Sequence, residues 1–151
     1  MKSEPSELSI DDLKTRKQWH WDGVRNYEAR NFMRDQMRIG DLVMFYHSRT
    51  TPLGIVGIAR VSSLPYPDHT QFDVQSKYFD PKSTKAKPIW FMVDVSFVKR
   101  FSRTVTREEL RADSALSNMK LWKRSRLSIS PLTEKEFDAI ATMARAHPPH
   151  N

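Results

Sequence analysis

Four consecutive residues with very different side chains, Phe45-Tyr46-His47-Ser48, lie at the end of a predicted strand that follows Gly40-Asp41. They combine two aromatic rings, an imidazole and a hydroxyl, which are groups used for base stacking, hydrogen bonding and acid–base catalysis. Because successive strand residues point to opposite faces, His47 and Ser48 are not expected to activate one another. The run is instead interpreted as one wall of a small pocket.

Other residues that could do chemistry give weaker signals. Lys2, Ser3 and Glu4 are of the types used in general acid–base catalysis, but such a triplet is common in any sequence. The five histidines, at positions 20, 47, 69, 147 and 150, show no spacing typical of a metal site, and there is no cysteine. The four glycines form no phosphate-binding loop. We therefore expect neither a metal ion nor an organic cofactor.

The charge of the chain favours an anionic partner. The formal net charge is +7, and residues 99–126 hold nine Lys or Arg against three acids. A basic segment of this kind is typical of nucleic-acid binding, although a solvated basic face that only improves solubility would have the same composition. No apolar run approaches the ~20 residues that cross a bilayer, so we expect no membrane partner. The expected location is the cytoplasm, in association with nucleoid or RNA, or the nucleus if the source is eukaryotic.

Aromatic and basic residues are interleaved in a way that favours base recognition. Aromatic rings stack on bases, while arginine and lysine neutralise phosphates. Polar side chains that could read a base edge lie close by in the sequence. The aromatic residues are Trp19, Trp21, Tyr46, Tyr66, Tyr78 and Trp90; the arginines are Arg25, Arg30, Arg49, Arg124 and Arg126; the polar residues are Asn26, His47, Ser48 and Ser128.

The elements that must position these residues form an α+β pattern in a single domain, with a frayed, disordered tail over 147–151. One helix is predicted over 10–14 and another over 116–121. Between them, a helix capped by Asn26 is predicted to run to about residue 38, where Gly40 terminates it. Two further helices follow capping boxes at Thr106/Glu109 and Thr133/Glu136. Strands are predicted over 41–48, 54–64, 89–101 and 126–130. Such short helices around a small, mostly antiparallel sheet favour a closed barrel.

Motifs along nearly the whole chain resemble the EVE domain family. They include Lys2-Ser3-Glu4-Pro5, the stretch 21–31, Gly54-Ile55-Val56-Gly57, Tyr78-Phe79-Asp80-Pro81 and the stretch 126–131. The resemblance implies a PUA-like fold over 1–146, in which a small mixed or antiparallel β-barrel is flanked by short helices. Family members carry a few more residues before the Lys-Ser-Glu-Pro motif, so the first strand is expected to be short here.

The resemblance also implies a pocket for a modified nucleobase in DNA or RNA, for example a modified cytosine. Carried over by position, the pocket would be built from Ser3, Trp21, Arg25, Asn26, Tyr46, His47, Ser48, Tyr78, Trp90, Arg126 and Ser128. Arg30, Lys123 and Arg124 would contact phosphates, together with Arg25 and Arg126.

Three hypotheses follow. In the first, a monomer captures a flipped or unpaired base between Trp21 and a second ring, Tyr46 or Trp90, without catalysis. In the second, the protein is a hydrolase of a modified nucleoside, with Lys2 or Glu4 in the pocket carrying a shifted pKa. In the third, it is a protein-interaction module whose basic face is incidental.

Overall fold

The computed structural model describes residues 1–146, so the predicted disordered tail over 147–151 lies outside the described residues. The strands are β1 (Lys2–Ser3), β2 (Gln18–His20), β3 (Leu42–His47), β4 (Gly54–Val61), β5 (Tyr66–Pro67), β6 (Phe91–Met92) and β7 (Asp94–Thr106). The helices are α1 (Ile10–Arg16), α2 (Tyr27–Asp35), α3 (Arg107–Ala112), α4 (Lys120–Lys123) and α5 (Glu134–Arg145). Single 3-10 turns cover His69–Phe72 and Ser114–Leu116.

Five strands form one curled sheet in the order β1-β3-β4-β7-β2, and β5 pairs with β6 separately. All neighbours in the large sheet are antiparallel except β1 and β3, which are parallel. Register shifts in the β3–β4 and β4–β7 pairs mark bulges, which increase twist and curl a sheet. The α+β prediction is confirmed, but among residues 1–146 the large sheet is an open half-barrel with edges β1 and β2, rather than the closed barrel that was predicted.

The alternation of β3 places its side chains in two separate cores. Val43 and Phe45 pack in the first core, with α1, α2 and Trp21. Met44 and Tyr46 pack in the second core, against α5 and the segment around Met119. The half-barrel is therefore covered by apolar side chains on both faces.

Several local predictions are confirmed. Side-chain capping boxes begin α3 at Thr106 and α5 at Thr133, and the Asn26 side chain caps α2. Gly57 lies beside the β4–β7 register shift, where a Cβ would meet the Lys99 carbonyl oxygen at 2.3 Å. Strand β4 therefore contains a close backbone approach that leaves no room for a side chain at position 57.

Other predicted boundaries are wrong. The strand predicted over 89–101 breaks at Val93, because Phe91 and Met92 pair with β5 whereas Asp94 begins the pairing with β2. Helix α2 ends at Asp35 rather than near residue 38. Gly40 adopts φ +97 in a later turn, in which the Asp41 carboxylate accepts from the Arg38 amide at 2.9 Å.

Three further corrections concern a predicted strand, a predicted helix and the short strand β2. Residues 126–130 form turns and bends rather than a strand, and their link to β1 is the hydrogen bond from the Lys2 amide to the Ser128 carbonyl, 2.8 Å. The helix predicted over 116–121 is a 3-10 turn followed by α4. Strand β1, which was expected to be short, has two residues, and β2 was not among the predicted strands.

Candidate functional site

A cavity of about 420 Å³ opens beside β1, and we call it the polar pocket. Its walls come from β1 and the residues after it, the stretch 19–24, the end of β3, Tyr78 and the turn 125–128. Six of the predicted pocket residues line it: Ser3, Trp21, Ser48, Tyr78, Arg126 and Ser128. The geometry thus brings together residues from both ends and the middle of the chain.

Hydrogen bonds to three backbone carbonyl groups hold the residues at the base of the polar pocket. The Ser48 amide donates to the Ser3 carbonyl at 2.9 Å, which extends the β1–β3 pairing beyond β3. The Ser3 hydroxyl donates to the Leu8 carbonyl at 2.8 Å, and the Lys2 ammonium group donates to the Ser125 carbonyl at 2.8 Å. These contacts fix the hydroxyl-bearing residues relative to one another.

Trp21 supplies a rigid aromatic wall. Its amide donates to the Val93 carbonyl at 2.8 Å, and its ring meets Phe45 edge to face with centroids 5.4 Å apart. Only 6% of the residue is exposed, although it lines the pocket. A ring held in this way loses little further conformational freedom when a planar ligand stacks on it.

Tyr78 forms a second aromatic wall because residue 23 is glycine. Gly23 has φ +82, and a Cβ there would lie 2.6 Å from the Tyr78 Cζ atom. The Tyr78 hydroxyl donates to the Glu7 carboxylate, at 3.1 and 3.2 Å from its two oxygens. Burial, followed by this contact with Glu7, raises the pKa of Tyr78.

Asp68 ties together the loops behind the two aromatic walls. Its side chain is fully buried and accepts hydrogen bonds from the Gly23 amide, the Arg25 guanidinium and the Thr70 amide. Burial acts to raise the pKa of this carboxyl, but the donors on Thr70, Gly23 and Arg25 outweigh it and lower the pKa. Asp68 is thus a charged anchor for the loop after β2.

The remaining predicted pocket residues lie elsewhere. Tyr46 packs in the second core, and the Asn26 side chain accepts from the Ala29 amide as a helix cap. His47 Nε2 accepts from the Ile10 amide at 3.1 Å, at the beginning of α1. The Trp90 indole donates to Asp80 at 2.8 Å, and its ring lies against Tyr27. The structure therefore differs from the predicted sandwich, because neither Tyr46 nor Trp90 lines the pocket with Trp21.

Arg25 is committed to internal contacts. Its guanidinium donates to Asp68 at 3.0 Å, to the Thr70 hydroxyl at 3.0 Å and to the Tyr78 carbonyl at 2.9 and 3.0 Å. This arginine therefore positions Tyr78. Its guanidinium N–H groups already donate to partners within the protein and are not free to bind a phosphate.

The residues predicted to contact phosphates fall into two groups. Arg30 donates to the Ile89 carbonyl at 2.9 Å and lies over Tyr27, while Arg124 is paired with Glu28. Lys123 and Arg126 are exposed and form no ion pair within residues 1–146. Arg126 also lies at the rim of the polar pocket, so it is both exposed to solvent and close to the candidate site.

Sequence reasoning missed several lining residues, including Glu7, His20, Asp22 and Arg49. His20 and Asp22 flank the predicted pocket residue Trp21 in the sequence, so their position next to it was a signal for them. The raised pKa of Asp22, caused by burial and by the nearby Asp68, places a weakened acid in the pocket wall. Arg49 pairs with Glu4 at 3.3 Å and adopts φ +51, which no motif indicated.

A larger cavity of about 580 Å³ lies between β3 and α5, and its lining is dominated by apolar side chains such as Phe32, Met119, Phe137 and Ile140. It has fewer groups that could read a polar ligand than the polar pocket, which we therefore take as the candidate site.

None of the helices among residues 1–146 has the length and apolar character needed to cross a membrane.

Comparisons with known proteins agree with this architecture. Residues 1–143 match the EVE domain. The chain is 41% identical to thymocyte nuclear protein 1 of Homo sapiens, with 98% of this chain and 74% of that protein covered. A protein of Leishmania major superposes with a TM-score of 0.92 at 49% identity, covering 95% of this chain and 91% of that one. Human THYN1, crystallised in complex with 5-methylcytosine-containing DNA, superposes with a TM-score of 0.93 at 41% identity, covering 98% and 97%. The chain belongs to the EVE domain family.

Proposed function

We propose that this protein binds nucleic acid and captures one flipped or unpaired modified base, such as a methylated cytosine, in the polar pocket. The observation that carries the proposal is the joining of Trp21 and Tyr78 with Ser3, Ser48, Ser128 and Arg126 around one cavity. Its volume of about 420 Å³ lies in the range of about 300–1,000 Å³ that is typical of small-ligand sites.

The DNA complex of the human relative supports a DNA ligand. That protein was crystallised with DNA containing 5-methylcytosine, and its fold matches nearly the whole of this chain. The same pocket could also take a modified base from RNA, since unpaired bases are the usual targets of sequence-specific RNA recognition.

Each part of the pocket has a distinct role in the proposed mechanism. The rings of Trp21 and Tyr78 provide faces on which the base stacks. The Ser48 and Ser128 hydroxyls, with neighbouring backbone groups, read its hydrogen-bonding edge. Arg126 at the rim and the exposed Lys123 hold the flanking phosphates. Arg25 acts indirectly, because it fixes the Tyr78 carbonyl.

The energetic balance is feasible for a base that is already weakly paired. Flipping a base from a duplex costs a few kcal/mol, and stacking on an aromatic ring is worth about 1–3 kcal/mol per contact. Two aromatic walls together with edge hydrogen bonds can offset that cost.

A direct test uses short DNA and RNA oligonucleotides that carry one modified or one unmodified cytosine, titrated at two salt concentrations. We expect tighter binding to the modified oligonucleotide, and we expect the ratio of the two affinities to be retained at the higher salt. If phosphate attraction alone were responsible, the two oligonucleotides would bind with equal affinity at each salt concentration, and both would bind more weakly at the higher salt. Affinity that ignores the modification would contradict the pocket-capture proposal.

Trp21→Ala tests the pocket itself, and Trp122→Ala is its matched control. Trp122 lies in the second core region, donates to the Leu116 carbonyl at 2.9 Å and is not a pocket residue. We expect Trp21→Ala to remove the preference for the modified base and Trp122→Ala to keep it, with circular dichroism confirming that both variants are folded. Full discrimination by Trp21→Ala would remove Trp21 from the mechanism.

Lys2 supports a second candidate function, hydrolysis of a modified nucleoside. It lines the polar pocket, and burial, reinforced by the nearby Arg107, lowers the pKa of its ammonium group. A lysine with a lowered pKa is a candidate base or nucleophile. Formation of product from a modified nucleoside by the wild type but not by Lys2→Met would support this function, and an unchanged nucleoside after long incubation would exclude it.

A further inference from the structure

Three side chains with metal-ligating atoms meet beside the polar pocket, and we call them the His-Asp-His cluster: His20, Asp22 and His69. Their nitrogen and carboxylate oxygen atoms all lie within 4.8 Å of one another. The sequence predicted no metal site because its histidines lack the usual spacing, but His69 reaches the other two only through the fold.

The imidazoles of the cluster are available for a ligand. Within residues 1–146, neither the His20 nor the His69 ring is held by a hydrogen bond of the kind that fixes His47, whose Nε2 accepts from the Ile10 amide. His20 stacks on Trp19 with centroids 4.5 Å apart, and it meets His69 edge to face at 5.1 Å. Stacking restricts the His20 ring without using its nitrogens.

The distance between His20 and Asp22 fits two ligands of one ion better than a direct hydrogen bond. His20 Nε2 lies 3.7 Å from Asp22 Oδ2, which is beyond the usual range of about 2.7–3.2 Å for an N–H···O bond. Bonds of about 2.0–2.2 Å to a tetrahedral ion place ligand atoms roughly 3.4 Å apart. The widest spacing in the cluster, 4.8 Å, needs a further approach of His69, whose exposed side chain has room to rotate.

The backbone that carries the cluster is locked by one buried group. The Asp68 carboxylate accepts from the Gly23 amide and from the Thr70 amide, each at 2.8 Å. Gly23 follows Asp22, and Thr70 follows His69, so this carboxylate clamps the two ligand-bearing segments together. His20 ends β2, where it pairs with Asp94 of β7. Ligands carried on fixed segments are the condition for a pre-organised metal site.

We propose that the His-Asp-His cluster binds a divalent transition-metal ion, Zn²⁺ in particular. Two imidazole nitrogens and one carboxylate match the donor set of three-ligand zinc sites, whereas Ca²⁺ and Mg²⁺ take oxygen ligands. Three protein ligands leave at least one coordination position for water or for an external ligand. Because His20 and Asp22 also line the polar pocket, the ion would add positive charge at the wall of the candidate base site.

The test measures metal binding by the full chain without nucleic acid, so its outcome does not depend on the proposed function. Zn²⁺ is titrated by calorimetry, and Co²⁺ is titrated by visible absorption to report the coordination geometry. We expect saturable binding of one ion. Loss of a group that merely supports a metal ligand typically costs 10- to 100-fold in affinity, so His20→Ala, Asp22→Asn and His69→Ala should each cost about 100-fold or more.

His47→Gln is the matched control, because it removes an imidazole that lies outside the cluster and whose Nε2 accepts from the Ile10 amide. It should bind Zn²⁺ with unchanged affinity. The proposal is overturned if the wild type shows no saturable binding, if the three cluster variants bind like the wild type, or if the control variant loses binding. His69→Ala keeps the test independent of folding, since this side chain is exposed.

Discussion

At the scale of single residues, the absence of a side chain at position 23 allows Tyr78 to reach the polar pocket. Gly23→Ala would place a Cβ 2.6 Å from the Tyr78 Cζ atom at φ +82. The positive φ costs about 1–2 kcal/mol, and the crowding costs about 1–3 kcal/mol more. Urea unfolding should show this loss of stability.

Gly40→Ala separates the two effects, because Gly40 has φ +97 but open space around the position of a Cβ. It should lose only the backbone contribution, about 1–2 kcal/mol. Equal losses in the two variants would mean that Tyr78 moves aside without cost.

Substitution of Asp68 should lower the stability of the fold more than substitution of a surface carboxylate. Asp68→Asn leaves the Arg25 guanidinium facing a neutral partner, and removing one member of a buried pair costs about 3–5 kcal/mol. Since the Arg25 side chain is 20% exposed, we expect the lower end of that range. Asp35→Asn breaks the surface pair with Arg34 and should change stability by less than about 1 kcal/mol.

The same variant predicts a pH dependence. The folded pKa of Asp68 lies below its ordinary value of 3.8, so the stabilising charge is fully present well above pH 3.8. It is lost as the pH falls below 3.8 through the folded pKa. The stability difference between wild type and Asp68→Asn should therefore be constant near neutral pH and shrink in acid. A difference that grows in acid would contradict this assignment.

At the scale of elements, His47 links the end of β3 to the beginning of α1. Its Nε2 accepts from the Ile10 amide, which requires a neutral imidazole. Burial lowers the pKa of His47 below 6.5, although the nearby Asp11 carboxylate acts to raise it. The contribution of this hydrogen bond to the stability of the fold is fully present above pH 6.5. It is lost as the pH falls through the pKa of His47 in the folded protein.

His47→Gln tests this link, because a glutamine oxygen can accept the same hydrogen bond without titrating. The wild type should lose stability between pH 6.5 and the folded pKa, and His47→Gln should lose less over that interval, as measured by chemical unfolding. Parallel pH profiles would mean that His47 does not report on this contact. Hydrogen exchange at the Ile10 amide provides a local readout of the same bond.

Elements that begin with local hydrogen-bonding residues could be predicted from the sequence. Elements that form only because a distant strand pairs with them could not. Capping residues at Thr106 and Thr133 act within one helical turn, so the beginnings of α3 and α5 were predictable. Strand β2 has three residues and exists because β7 pairs with it. A segment that short has too few residues for alternation to be visible.

The pocket residues show the same division. Alternation correctly separated Phe45 from Tyr46, but it could not reveal that the face of Tyr46 is covered by α5 and its neighbours. Likewise, an arginine such as Arg25 looks like a phosphate ligand until its buried partner Asp68 is known. Motif resemblance predicted residues in the neighbourhood of the candidate site, and tertiary contacts decide which of them line the polar pocket.

At the scale of the whole molecule, pairing reduces the effective positive charge of the basic segment over 99–126. Arg100 pairs with Asp11, Arg103 with Glu109, and Arg124 with Glu28. Exposed cations without such partners should contribute most to counterion release when nucleic acid binds.

The proposed nucleic-acid binding should therefore have a salt dependence to which individual residues contribute unequally. Lys123→Ala and Arg126→Ala should each reduce the slope of log affinity against log salt by about 1. Arg103→Ala should leave the slope unchanged, because its guanidinium already donates to Glu109 and to the Met143 carbonyl. An equal effect from all three variants would point to a diffuse field rather than to specific phosphate contacts.

The two cores on opposite faces of β3 have a consequence for how the protein unfolds. Phe45 and Tyr46 are adjacent in the chain but belong to different cores, so neither core can dissolve without disturbing the strand that the other needs. We expect one cooperative thermal transition, with the calorimetric enthalpy equal to the van't Hoff enthalpy. Heating should not release α5 and its core as a separate unit while the core around Trp21 persists.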